Sequence, residues 1–194
     1  MKTIICFLVV CSGASILGLQ LSQDVGLTRN EEQHILDLHN AERLKTALGQ
    51  ISGQPTATGM IAMVWSDELA RKAQEWANNC DGPPHDENAA RVLGTTYQGS
   101  FAGQDTMFLG QGTANQDVKS VQAWVGEAAH FNLADNSCSQ HPCGHYTQVV
   151  WADSRYLGCG WNRCPGKTWE RYICNYGPAG NEMEIGRASC RERV

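Results

Sequence analysis

Gly144-His145-Tyr146-Thr147-Gln148-Val149-Val150-Trp151, followed at a short distance by Gly158-Cys159-Gly160, is the stretch whose reading decides the rest of the chain. It alternates with a period of two, as a buried strand does. Tyr146, Gln148 and Val150 fall on one face, and His145, Thr147, Val149 and Trp151 on the other. His145 enters directly after Cys143-Gly144, and a bridged cysteine stiffens the backbone beside it. A stiff imidazole that can stay neutral is the raw material of a metal ligand or a general base. The plain alternative is a half-buried histidine with one hydrogen bond.

The sequence runs to 194 residues with a net charge of -5 and an ordinary hydrophobic share of 42%, which fits one domain and argues against a nucleic-acid partner. Lys2, the apolar run Ile4 to Val10 and the small residues Ser12-Gly13-Ala14-Ser15 read as a secretory leader over residues 1–20. That run is too short to span a bilayer, and no later run is long enough, so the mature protein is expected to be secreted and not transmembrane. Cys6 and Cys11 fall in the leader. Cys190 falls in residues 184–194, which carry no apolar period and read as a non-native tail. Six cysteines remain: Cys80, Cys138, Cys143, Cys159, Cys164 and Cys174. In an oxidising compartment an even set reads as a disulfide framework, though many pairings are open. A zinc site on Cys159-x4-Cys164 is the rival reading.

Thr28-x-x-Glu31 is a capping box that predicts a helix from Arg29 to about Leu48, ending at Gly49. Residues 49–60 read as a loop. Ser66, followed by Asp67 and Glu68, predicts a second helix with Leu69, Ala73, Trp76, Ala77 and Cys80 on its inner side. Residues 81–114 read as a long irregular connection. Asn115 predicts the cap of a third helix lined by Val118, Val121, Trp124, Val125 and Ala128, with Glu127 close by. Strands are expected at Tyr146–Trp151, Tyr156–Trp161 and Trp169–Tyr176. Helices preceding strands predict an α+β fold, an antiparallel sheet flanked by helices.

Four motifs occur in order: His39-Asn40-x-x-Arg43, Gly103-Gln104-Asp105, the run Gly144 to Ser154, and Tyr172-Ile173-Cys174-Asn175-Tyr176-Gly177-Pro178-Ala179-Gly180-Asn181. Together they resemble the CAP superfamily of cysteine-rich secretory proteins, antigen-5-type venom allergens and plant pathogenesis-related-1 proteins, over Asn30 to Asn181. The resemblance implies a three-layer α-β-α sandwich with a central antiparallel sheet, its domain covering residues 28–183. It also implies a cleft holding His85, Gln104, Glu127 and His145. Gln104 stands where many members have glutamate, Asp105 replaces the usual asparagine, and Arg171 and Glu182 depart from the apolar or aromatic flanks of the last motif. The resemblance further suggests bridges Cys80–Cys164 and Cys159–Cys174, which leaves Cys138 with Cys143. His39, Asn40 and Arg43 read as buried ties between the first helix and the sheet. His34, His130 and His141 read as surface residues.

With Gln104 unable to bear charge, Glu127 is the one carboxylate of the cleft. Two imidazoles, His85 and His145, with that carboxylate and water suit a divalent cation, zinc first on ligand type. The plain alternative is that Gln104 and Glu127 only hydrogen-bond the histidines. The function expected is a non-enzymatic extracellular binding module, a monomer or weak dimer, taking a metal or a small lipid such as a sterol or fatty acid. Val92, Leu93, Tyr97, Phe101, Met107, Phe108 and Leu109 are candidates to line the lipid cleft, or else simply cover the core. The alternatives are a hydrolase using His145 and Glu127, with Ser154 as a possible hydroxyl, and a toxin-like effector of an extracellular or membrane protein. No nucleophile motif supports catalysis.

Overall fold

The structure is a computed structural model and describes residues 26–181. The expected leader and tail lie outside these residues. Helix α1 spans Arg29–Ala47 and opens with the capping box: Thr28 Oγ1 accepts from the Glu31 amide, and Glu31 Oε2 accepts from the Thr28 amide at 2.7 Å. After the short strand β1 (Val64–Trp65), Ser66 caps α2 (Asp67–Ala77) by accepting from the Leu69 amide at 3.4 Å. The connection expected over 81–114 is more ordered than its composition suggests. It holds a short helix α3 (Asn88–Val92) and the eight-residue strand β2 (Gly103–Gly110). Then come α4 (Gln116–Gly126), a 3-10 turn (Glu127–His130), and the two-residue strands β3 (Phe131–Asn132) and β4 (Ser137–Cys138). Helix α5 (Gly144–Val149) and the long strands β5 (Tyr156–Arg163) and β6 (Trp169–Gly177) close the fold. Asn115 precedes α4 in the left-handed region, with φ 55°, and its side chain makes no capping bond.

The main sheet has the order β1-β5-β6-β2. Its three long strands are antiparallel, but β1 runs parallel to β5, so the sheet is mixed rather than wholly antiparallel. Helix α2 covers one face. Gly158 and Gly160 sit directly under it, and a Cβ on either would collide with the backbone of Ala70 or Gln74. The spacing in Gly158-Cys159-Gly160 is therefore what allows helix and strand to approach so closely. On the other face, α1 and α4 bury Ile35, Val121 and Trp124 against Leu157, Tyr172 and Tyr176. The fold is thus an α-β-α sandwich. Three bridges close it: Cys80–Cys164, Cys138–Cys143 and Cys159–Cys174. No cysteine of Cys159-x4-Cys164 is left to hold zinc. Among the described residues, no helix is long and apolar enough to cross a membrane.

The stretch Tyr146–Trp151 is not a strand. Residues 144–149 form α5, a helix too short to persist on its own. Its ends are completed from elsewhere in the chain. Glu127 Oε2 accepts from the amides of His145 and Tyr146, both at 3.1 Å, and satisfies first-turn donors that a helix leaves orphaned. At the other end Arg43 donates from Nη1 to the carbonyls of Val149 at 3.0 Å and Trp151 at 2.7 Å. A negative group at the N-terminus and a positive one at the C-terminus both oppose the helix dipole. These contacts outweigh the local alternation.

Arg43 is fully buried and also donates to the carbonyls of Ile61 and Ser154, so it ties α1 to the segments on both sides of β1 and α5. Burial pushes its pKa down to about 10, and it remains a cation at neutral pH. Its neighbours in the motif do similar work. His39 contacts Tyr176 on β6, and Asn40 pairs with the backbone of Met63. Arg43→Met leaves several buried carbonyls without a donor and is expected to cost about 3 kcal/mol or more. Urea unfolding with the bridges intact measures this. The exposed Arg155→Met is the control and is expected to stay within about 0.5 kcal/mol of the parent protein.

Candidate functional site

His145 stands at the start of α5 and is half-buried, its side chain 21% exposed. Its Nδ1 lies 2.6 Å from Glu127 Oε1. A carboxylate oxygen accepts, so Nδ1 carries the proton and Nε2 keeps its lone pair. Trp124 stacks on the ring, with centroids 6.1 Å apart and planes 26° apart, and limits how the imidazole can tilt. Burial alone would lower the His145 pKa. The bond to Glu127 and the charges of Asp105 and Glu127 outweigh that, and the net shift is upward.

His85 lies in the loop after α2. Its Nδ1 lies 3.2 Å from Gln104 Oε1 on β2. The orientation of that amide is set by three other contacts. Gln104 Nε2 donates to Asp86 Oδ1 at 3.0 Å and to Asn175 Oδ1 at 2.9 Å, and Oε1 accepts from the Asp86 amide at 3.3 Å. Asn175 in turn donates to the Leu69 carbonyl, which turns its own oxygen toward Gln104. His85 Nδ1 is therefore a donor too, and its Nε2 is also left with a lone pair. Asp86 is held by Arg91 Nε at 2.7 Å. Burial lowers the His85 pKa, the bond to Gln104 works against this, and the charges of Arg91 and His145 lower it further. The two imidazoles are thus close enough to feel each other's protonation.

Asp105 is not a second carboxylate of the cleft. It is a buried residue of β2, with Oδ2 2.9 Å from the Tyr176 hydroxyl, which is 2.9 Å from His39 Nε2. Burial raises its pKa well above the ordinary range. His39 is kept neutral, its pKa lowered to about 4 chiefly by burial. Ser154 is fully buried, donating to the Pro178 carbonyl and accepting from Gln148 Nε2. His34 is exposed and pairs with Asp117 of α4 at 2.6 Å. Among the described residues, no three His, Cys, Asp or Glu side chains are placed to hold one metal ion.

The residues considered for a lipid cleft take separate places. Val92 is buried with Leu69 and Ala102, and Tyr97 packs on them. Leu93 and Phe101 are exposed, and Phe108 meets Trp169 edge-on at 5.0 Å. A pocket partly open to solvent lies elsewhere, between the loop after α1, the β3 region and α5. Pro55, Met60, Phe131, Leu133, Tyr146 and Val150 make its apolar wall, Thr46, Thr56 and Thr147 add hydroxyls, and none of its lining residues is charged. Sequence reasoning did not find this cavity. It also passed over Asp86, Arg91 and Trp124 as site residues, and read Asn175 only as part of a motif.

The profile of the cysteine-rich secretory protein family, CAP, matches residues 36–176, and the chain belongs to that family. Venom allergen 5 of Vespula maculifrons is 38% identical over 169 residues, covering 80% of this chain and 78% of the relative. Venom allergen 5 of Polybia scutellaris rioplatensis is also 38% identical, over 82% of this chain and 79% of its own. Among solved structures, venom allergen-like protein 4 of Schistosoma mansoni shares the fold, with a TM-score of 0.68 at 24% identity over 80% of this chain and 92% of that one. The crystal structure of NaASP2 with Zn2+ has a TM-score of 0.67 at 27% identity, over 81% and 84% of the two chains.

The opposite shifts of the two imidazoles order their titrations. His145 is raised above 6.5, so the stability its proton contributes is fully present below 6.5 and is lost as pH rises through the raised value. His85 is lowered from 6.5, so it costs stability as pH falls from 6.5 through its depressed value. An NMR pH titration of the ring protons is expected to show His145 protonating before His85 as the pH falls, and Glu127→Gln to move the His145 midpoint down. The reverse order would contradict this electrostatic picture.

Proposed function

We propose that the protein is a secreted, non-enzymatic binding module. It holds a divalent cation between His85 Nε2 and His145 Nε2, with water completing the shell, and takes a small neutral lipid in the separate cavity. The observation that carries the metal reading is the state of the two Nδ1 atoms. Each is bonded to a side-chain oxygen, Glu127 Oε1 or Gln104 Oε1, which is the arrangement by which proteins orient imidazole ligands. Glu127 and Gln104 then orient the ligands rather than bind the ion. Imidazole nitrogen favours zinc over magnesium, which prefers oxygen. The similar crystal structure of NaASP2 with Zn2+ agrees with that choice. The ion would supply a fixed positive centre in the cleft, able to bind an anionic or carbonyl group of a partner.

Three disulfides and the venom allergen relatives support secretion. The uncharged cavity favours a sterol-like or other neutral lipid, because a fatty-acid carboxylate would enter it without a cation to pair with. A hydrolytic reading loses its hydroxyl, since Ser154 is spent on Pro178 and Gln148.

Native mass spectrometry of the secreted protein, with and without a chelator and organic extraction, tests both sites. One zinc per chain is expected, lost in His85→Ala and His145→Ala, with affinity reduced about 10–100-fold in Glu127→Gln. Ala57→Trp, which fills the cavity, is expected to abolish binding of added cholesterol and leave zinc in place. Zinc retained by both histidine variants would refute the metal site, and palmitate binding preferred over cholesterol would refute the neutral-lipid reading.

A further inference from the structure

Arg171 is a fully buried cation on β6. Its guanidinium lies between two rings, 4.9 Å from the centre of Trp76 on α2 and 5.4 Å from that of Phe108 on β2. Nη1 donates to the Asn79 carbonyl at 2.6 Å, and Nη2 donates to the carbonyls of Pro84 at 2.9 Å and Pro83. All three acceptors belong to one loop, the loop that ends at His85. A buried charge is stable only when nearby groups replace its water. Here carbonyl dipoles do so at Nη1 and Nη2 and the aromatic faces add to it, while Nε has no hydrogen-bond partner among the described residues. The loop cannot move away without stranding that charge.

The loop has few means of holding itself. Pro83 and Pro84 have no amide hydrogen to give. Cys80 anchors its beginning through the bridge to Cys164. Near its end the Pro84 carbonyl also accepts from Thr106 Oγ1 at 2.9 Å and Trp76 Nε1 at 3.3 Å. Between these points the Gly82 amide donates to the Asn79 carbonyl at 3.1 Å, a bond within the loop itself, and the exposed pair Lys167–Asp81, at 2.6 Å, is a surface contact that contributes little. Arg171 is what draws the middle of the loop onto the sheet.

We propose that Arg171 is the positioning residue of His85: it clamps residues 79–84 against Trp76 and Phe108 and so sets where the imidazole meets Gln104. The consequence for zinc rests on the reading of His85 as a ligand; the positional claim does not. Arg171→Met is expected to keep the fold and all three bridges. It should speed hydrogen exchange at the bonded amides of Gly82 and Asp86 by tenfold or more and shift the His85 ring signals, leaving those of His145 in place. Zinc affinity, measured with the metal alone, should fall about tenfold or more, as for groups that orient a metal ligand. Arg171→Lys keeps the charge but not the planar fork and should fall between the two. Lys167→Met should change nothing. A folded Arg171→Met protein with unchanged exchange and unchanged His85 signals would overturn the proposal. If the parent protein binds no zinc, the ligand reading fails while exchange and ring signals still decide the role of Arg171. If Arg171→Met does not fold, the same readouts on Arg171→Lys decide it.

Discussion

The Glu127 carboxylate joins two parts of the molecule that have no reason to meet otherwise. One oxygen accepts from two amides at the start of α5, and the other accepts from the ring of His145, the second residue of that helix. The same side chain therefore makes a six-residue segment helical and chooses the tautomer of the histidine it carries. Arg43 completes the far end through carbonyls from 149 to 154. Each of the two side chains faces an end of the helix dipole, so the helix is held by a group in the turn after α4 and one on α1, and not by its own propensity.

The two imidazoles are held differently. His145 is oriented by a carboxylate and feels negative charge, whereas His85 is oriented by a neutral amide whose direction is set by Asn175 and the Asp86 amide. Glutamine at 104 consequently does more than remove a charge. It passes one hydrogen-bond direction from Leu69 on α2, through Asn175 on β6, to the imidazole. The acidic group at 105 does not restore the missing carboxylate, because β2 turns it to the buried side beneath Tyr176.

Helices α1 and α2 and strands β5 and β6 were legible in the sequence because their signals are local: a capping box, a serine cap, and strand-like runs. Helix α5 was not, since its caps lie 18 and about 100 positions away and its own residues alternate like a strand. Strand β2 was hidden because Asp105 occupies a buried position where a strand pattern leads one to look for an apolar side chain. The four cleft positions came from the family resemblance. The groups that orient them, Asn175, Asp86 and Arg171, are visible only once β2 and β6 are paired, because each acts across strands or on a loop.

The arrangement of the cleft depends on both imidazoles carrying their proton on Nδ1. Long-range proton–nitrogen NMR of the ring nitrogens, at a pH where both are neutral, reports this directly. Protonated Nδ1 and bare Nε2 are predicted for His85 and His145 alike. A protonated Nε2 on either ring would contradict the hydrogen-bond directions assigned to Glu127 or Gln104, and with them the basis for a ligand site.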